Sequence, residues 1–221
     1  MFGNCNKMSK CILSFDIGIK NLAFCKLEIP TGKIILWDNL SLIDTFKCSK
    51  CKNNASVKHK TEGTYFCDKH KTSQRVYTKL TTVKNCELSD LARKLYHVLE
   101  SCENLVTNVT HVVIENQLTK NPKMKFIAAA VLMYFANKCE ETTTVKFISA
   151  KYKLKNHLPQ GVKMGGKQNY RLRKTLAIET TAEELNDKNL EWVEYFNNSG
   201  KKDDLSDSYL QGVYYLEKII S

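Results

Sequence analysis

Between Cys11 and Leu27 two short apolar runs are broken by a turn. Ile12, Leu13, Phe15 and Ile17 are strand-formers, Gly18 supplies the turn, and Leu22 to Leu27 follows. This pattern predicts a hairpin in a buried sheet. Thr31-Gly32 turns the chain again into Lys33–Leu40, a third strand that completes a meander. From Asn85 to Leu105 the apolar positions Leu88, Leu91, Leu95, Val98, Leu99 and Cys102 recur at helical steps, with Asn85 placed to cap. His111–Ile114 reads as a short buried strand. Asn121-Pro122 opens a second helix, apolar on nearly every side through Asn137 and therefore expected to be buried. Val145–Ile148 is a further strand.

The last third is less regular. Ser149 to Gln168 has Pro159, Gly161, Gly165 and Gly166 and no periodicity, which predicts a basic loop. A helix is expected from about Arg171. Leu185 to Asn198 is acidic and ambiguous, fitting a short helix that ends at Gly200. The final helix opens at Lys201, with Leu205, Tyr209, Gly212, Val213, Leu216 and Ile220 on one face.

One stretch breaks this pattern. Thr45 to Thr78 is polar, lysine-rich and poor in large aliphatics. It contains Cys48-Ser-Lys-Cys51, 15 intervening residues, then Cys67-Asp-Lys-His70. Two ligand pairs, each with two residues between its members, can converge on one metal, which replaces a core too small to form alone. The spacing predicts one structural Zn²⁺ held by Cys48, Cys51, Cys67 and His70, with His59 a substitute of poorer spacing. The domain reading is therefore residues 1–44 and 77–221 as one α/β domain and 45–76 as a zinc-knuckle insertion.

Composition narrows the class. A hydrophobic fraction of 43% in 221 residues is that of a globular chain with one sizeable core. The 34 Lys and Arg against 23 Asp and Glu leave +11, a surplus that points to a polyanion. Nine cysteines behind a polar N-terminus without a signal-like apolar core favour an intracellular, reducing compartment over disulfides. No apolar run is long enough for a membrane helix. The lysines and arginines expected to meet phosphate are Lys20 in the first turn and Lys151, Lys153, Lys155, Lys163, Lys167, Arg171, Arg173 and Lys174 in and after the basic loop.

Four acids stand in places that acids seldom occupy. Asp16 lies inside the first apolar run, Glu115 directly follows an apolar strand, and Asp204 and Asp207 open the last helix three residues apart. A buried carboxylate is costly unless a cation compensates it. The bland alternatives are a turn-capping Asp16 and an ordinary acidic first helical turn. Together the four suit an oxygen-donor site for Mg²⁺ or Mn²⁺. Two such ions about 3.5–4 Å apart support in-line attack on a phosphodiester, one activating water and one stabilising the leaving oxygen.

Ser14-Phe-Asp-Ile-Gly-Ile-Lys-Asn-Leu-Ala23, Ile114-Glu-Asn-Gln117 and Lys201-Lys-Asp-Asp-Leu-Ser-Asp207 together resemble the three motifs of the poxvirus-type, RuvC-like Holliday junction resolvases. The resemblance covers the chain outside the knuckle. It implies a ribonuclease H-like fold: a mixed five-stranded sheet flanked by helices, with the zinc-binding insertion added. It also implies a Mg²⁺-dependent, homodimeric endonuclease that nicks four-way DNA junctions and leaves 5′-phosphates. The four family carboxylates fall on Asp16, Glu115, Asp204 and Asp207, while Asp203 has no assigned part. The insertion and Asn116, where the family pattern has Gln, are departures. The insertion suggests another large DNA virus, or a related element, rather than a vertebrate poxvirus, with the protein expected in host cytoplasm or at a viral replication site. The nearest alternatives are another nuclease of this fold, acting on RNA–DNA hybrids or in transposition, and a zinc-containing nucleic-acid binder without catalysis.

Overall fold

The structure is a computed structural model that describes residues 9–73, 76–116, 121–153 and 167–220. Its centre is a five-stranded sheet. β1 (Cys11–Asp16), β2 (Leu22–Glu28) and β3 (Ile34–Leu40) form the antiparallel meander. Three short strands follow, β4 (Val57–His59), β5 (Tyr65–Phe66) and β6 (Tyr77–Lys79), forming a separate sheet in the order β5-β4-β6. β6 lies just past residue 76, where the composition shift set the end of the insertion. After helix α1 (Leu88–Glu100) the chain returns as β7 (Val109–Glu115) beside β1, in parallel. Helix α2 (Pro122–Lys138) crosses to β8 (Thr144–Ile148), parallel to β7. The order β3-β2-β1-β7-β8 is the mixed five-stranded sheet expected of the ribonuclease H-like fold.

Helices cover both faces, so β1 is buried along its whole length. Its alternation decides what meets what. Cys11, Leu13 and Phe15 pack with Leu91, Leu95, Leu99, Ile127, Val131 and Phe135 of α1 and α2. Ile12, Ser14 and, by the period of two, Asp16 face the other layer, built from α3 (Lys167–Lys188), α4 (Val193–Asn198) and α5 (Lys202–Ile220). There Trp37 stacks on Phe196, with ring centroids 5.4 Å apart, and packs against Tyr209, Leu205 and Leu185. Gly212 lets α5 lie close on the sheet: a Cβ there would come 2.9 Å from Leu27 Cδ1 and 3.2 Å from Ser14 Cβ. That close approach fixes the height of α5, and of its acids, above β1.

Several local expectations give way to tertiary forces. Asn85 does not cap α1; its side chain instead accepts from the Thr82 amide and hydroxyl, closing the turn before the helix. The helix ends at Glu100, five residues earlier than its apolar spacing suggests, and a turn follows with Asn104 at φ 59°. That turn is held by Lys26, a buried lysine inside β2, whose ammonium donates to the carbonyls of Asn104 (2.5 Å) and Thr107 (2.7 Å). α2 starts as expected, Asn121 accepting from the Lys123 amide with Pro122 at the first helical position. It is buried on one side only; Met133 on the other is 63% exposed. α3 begins at Lys167, inside the expected basic loop, and runs without a break through Leu185. The chain then passes a short 3₁₀ turn, Leu190–Trp192, into α4.

Candidate functional site: a carboxylate cluster sealed by a lysine, and a Cys₃His cluster

Asp16 is the last residue of β1 and Glu115 the last of β7, and Phe15 pairs with Ile114 in parallel register. Their carboxylates therefore emerge side by side at the C-terminal edge of the sheet, where α/β sheets place their ligands. Gly18 keeps the following turn tight, since a Cβ there would meet Asn21 O at 2.1 Å. Asp204 and Asp207 project from the first turns of α5 over the same edge. One turn beyond Asp207, the buried Gln211 amide donates to Ser14 Oγ (3.1 Å), Phe15 O (3.1 Å) and Val113 O (3.4 Å). Gln211 thus fastens the acid-bearing stripe of α5 to β1 and β7.

All four acids line one cleft of about 450 Å³, together with Met124, Ala150, Lys151, Lys153, Tyr170, Arg173 and Lys174. At its centre is Lys153, just past the 3₁₀ turn Ala150–Tyr152 that follows β8. Its ammonium lies 2.7 Å from Asp16 Oδ1, 3.2 Å from Glu115 Oε1 and 3.1 Å from Asp207 Oδ2, and the residue is 6% exposed. As placed, Lys153 does not reach out toward phosphate; it neutralises the acids. The basic wall of the cleft is Lys151, Arg173 and Lys174. Tyr170, also on α3, is exposed at the cleft and lies beneath the Lys174 ammonium. Lys20 and Arg171 are exposed but do not line it. Lys155 and Lys163 lie outside the described residues, and Lys167 opens α3 with its side chain outside them. Asp203 does not line the cleft; it pairs with Lys174, tying α3 to α5.

The electrostatics follow from burial with too few cations. Desolvation pushes the Asp16 carboxyl up to about 7 against the pull of Lys153, with Glu115 adding repulsion. Burial, Asp203 and Asp16 raise Asp204 to about 6, and burial raises Asp207 despite Lys153. For Lys153 burial disfavours the charge, but Asp16, Asp207 and Glu115 outweigh it and hold the ammonium charged. Folding therefore takes up protons at Asp16 and Asp204 above the ordinary aspartate value of 3.8. The expected result is a metal-free protein that loses stability as pH rises from about 4 to about 7 through these two groups. Melting in chelator over this range checks it: the fall in Tm should shrink in Asp16→Asn, and an unchanged slope would contradict the buried-acid geometry.

The donor set fits hard divalent cations, being all carboxylate. Asp204 Oδ2 is moreover buried with no hydrogen-bond partner, the Lys201 ammonium standing 4.0 Å away. Such an oxygen is costly to leave unsatisfied and suited to a ligand.

The second cluster lies in the small sheet. The ligand atoms of Cys48, Cys51, Cys67 and His70 all lie within 4.8 Å of one another. Cys51 Sγ and Cys67 Sγ are 3.8 Å apart, and His70 Nδ1 is 3.5 Å from both Cys48 Sγ and Cys67 Sγ. Tetrahedral zinc with ordinary Zn–S and Zn–N bonds requires about 3.8 Å and 3.5 Å for those pairs. His59 is not part of it: its Nδ1 accepts from the Glu62 amide at 3.1 Å and closes the β4–β5 turn.

Lys153, expected from the sequence to meet phosphate, stands among the acids in this structure, and Gln211 is a residue the sequence pattern did not single out. A signal for Gln211 existed, since it shares the α5 stripe with Asp204 and Asp207 at helical spacing. No local signal marks Lys153; only the parallel placement of β8 beside β7 brings it to the acids.

A sheet of this order, with carboxylates from β1, β7 and α5 gathered at its C-terminal edge, defines a ribonuclease H-like protein. Comparison with known proteins agrees. Residues 12–133, more than half of the chain, match the family described as mitochondrial resolvase Ydc2 / RNA splicing MRS1. The chain belongs to that family. It is 32% identical to an uncharacterized protein of Acanthamoeba polyphaga mimivirus, over 77% of this chain and 47% of that protein. It thus spans about half the length of that curated relative. Among solved structures it is similar to the fowlpox virus resolvase in complex with Holliday junction DNA, with TM-score 0.52 and 20% identity, covering 94% of this chain and 99% of the other. That likeness supports the fold. No helix among the described residues is long and apolar enough to cross a membrane.

Proposed function

We propose that this chain is a structure-selective endonuclease that resolves four-way (Holliday) DNA junctions, acting as a homodimer with Mg²⁺ or Mn²⁺. The observation that carries the proposal is the meeting of Asp16, Glu115 and Asp207, with Asp204 beside them, in one cleft with a basic wall, in a chain of a resolvase family. The four acids would hold two divalent ions, which supply an activated water and stabilise the leaving 3′-oxygen. Lys151, Arg173 and Lys174 would seat the phosphate backbone alongside, and Tyr170 offers a ring to a base. Hydrolysis with the 3′-oxygen leaving gives a 5′-phosphate and a 3′-hydroxyl. A two-fold dimer presents two such clefts about one axis, as a junction with two symmetric nicks requires.

Zn²⁺ would occupy the Cys₃His cluster as one structural ion, its four positions filled by protein. Reduced thiolates at that site fit an intracellular compartment, and the mimivirus relative fits viral origin, with action in host cytoplasm or at a replication site. The domain division remains an insertion in a ribonuclease H-like unit, with its end moved from residue 76 to Lys79 to take in β6. A second reading, nucleic-acid binding without cleavage, draws on the RNA-splicing part of the family's description. Incubation of the purified chain with a labelled four-way junction and Mg²⁺ separates the two: cleavage supports the nuclease, and tight binding without cleavage supports the second reading.

Affinity should be strongly salt-dependent and nearly independent of sequence. If the basic cleft wall and the lysines of the small sheet neutralise about six phosphates, log K against log salt should fall with a slope of about −5. Binding titrations at several salt concentrations measure it, and a slope near zero would remove the basic wall from the interface.

A further inference from the structure

We propose that Lys153 is an exchangeable internal cation, whose ammonium occupies the carboxylate cluster of the metal-free protein and is expelled when divalent ions bind. The inference rests on the reading that these acids hold metal.

The geometry carries it. Three acids from three separate elements, β1, β7 and α5, all point at one Nζ, at 2.7, 3.2 and 3.1 Å. Asp16, Glu115 and Asp207 would have to offer a divalent ion the same oxygens that now hold the ammonium. Two cations cannot share that volume, because the low-dielectric setting magnifies their repulsion. Charge points the same way. Four carboxylates with one ammonium leave an excess of negative charge, which two divalent ions would cancel without Lys153.

The backbone around Lys153 is built to stay while the side chain leaves. Tyr152, its neighbour, stacks face to face on Tyr214 of α5, with centroids 5.0 Å apart and planes 3° from parallel. The 3₁₀ turn is thus pinned to the helix that carries Asp204 and Asp207. A lysine's charge sits on a flexible four-carbon stem, so it can move without the turn moving. Lys151 and Lys174 already line the cleft, and an expelled Lys153 would join that phosphate-facing set. Metal loading would then do two things at once: fill the acid site and add a cation to the DNA-facing wall. This reconciles the buried lysine with a basic cleft. It also explains how four acids stay together in a protein that folds before it finds its metal.

The test uses the wild-type protein first. Amine acetylation followed by mass spectrometry reads the accessibility of each lysine, in EDTA and in Ca²⁺ or Mn²⁺, with calorimetry confirming that the ion binds. Lys153 should be protected in EDTA and label at least about tenfold faster with metal, while buried Lys26 stays protected in both. Lys153→Gln should bind Mn²⁺ at least about tenfold more tightly than wild type, its competitor being gone. It should also melt lower in EDTA and regain that loss with metal. Lys153→Arg should restore the EDTA stability. Metal binding with Lys153 still protected, and no gain in affinity in Lys153→Gln, would overturn the exchange while leaving the metal site intact. No metal binding to either protein would overturn the metal reading itself, and the exchange with it.

Discussion

Asp16→Asn is expected to abolish cleavage while leaving both the fold and junction binding in place. Asp16 lies where β1 and β7 end together and bonds the Lys153 ammonium at 2.7 Å, which puts it in the carboxylate cluster and not in the basic wall. Losing one carboxylate from a divalent-ion site removes several kcal/mol of transition-state stabilisation, on the order of a thousandfold or more in rate. The charge of Asp16 is itself a burden to the metal-free fold, since burial drives its carboxyl up to about 7. An amide of the same shape removes that burden. The melting temperature in EDTA should therefore hold or rise, and affinity for a junction in EDTA should hold or tighten as repulsion from phosphate falls. Single-turnover cleavage, melting and binding on one preparation check this. Cleavage at the wild-type rate would remove Asp16 from the site, and lost binding with lost folding would make it a structural residue.

Removing zinc is expected to unfold the small sheet and spare the large one. The buried core of the small sheet is Cys48, Val57, Phe66 and Cys67, with Cys51 and Tyr77 packed against it, so half of that cluster consists of the proposed zinc ligands. A unit of this size cannot bury enough apolar surface to hold itself together. Structural zinc contributes roughly 10–16 kcal/mol in comparable small domains, and that energy is folding energy. Cys48→Ser, or a strong chelator, should bring fast hydrogen exchange to β4, β5 and β6. β1 and β7, buried between two helical layers, should stay protected. Elemental analysis should find about one zinc per chain in freshly purified protein. Zinc-free protein with a protected small sheet would contradict this account.

That the four acids would gather, and the Cys and His pairs with each other, is legible in the sequence because each breaks a local rule. Asp16 interrupts an apolar strand, Glu115 terminates one, and two Cys/His pairs sit in a stretch with no other means of folding. Elements whose ends depend on distant partners were harder. The stop of α1 at Glu100 is set by Lys26, which lies more than seventy residues away in the chain and ties down the following turn. Lysine inside a β-run gives no hint of that. The exposed side of α2 is likewise invisible in its composition, since Ala and Met suit a buried helix as well as an open one. The inward placement of Lys153 is hidden for a related reason. In a lysine-rich stretch it looks like its neighbours, and only the closure of β8 against β7 turns it inward to the acids. Charge counting gives the sign of a surface; it does not say which lysine the fold keeps for itself.

The most direct test of the central claim is to incubate the protein with Mg²⁺ and three labelled substrates, a four-way junction, the matching linear duplex and an RNA–DNA hybrid, and then to treat the products with DNA ligase. The expected result is cutting of the junction well ahead of the other two, by paired nicks in strands of like polarity, giving linear duplexes whose nicks ligase seals. Equal or preferred cutting of the hybrid or the duplex, or junction products that ligase cannot seal, would contradict it.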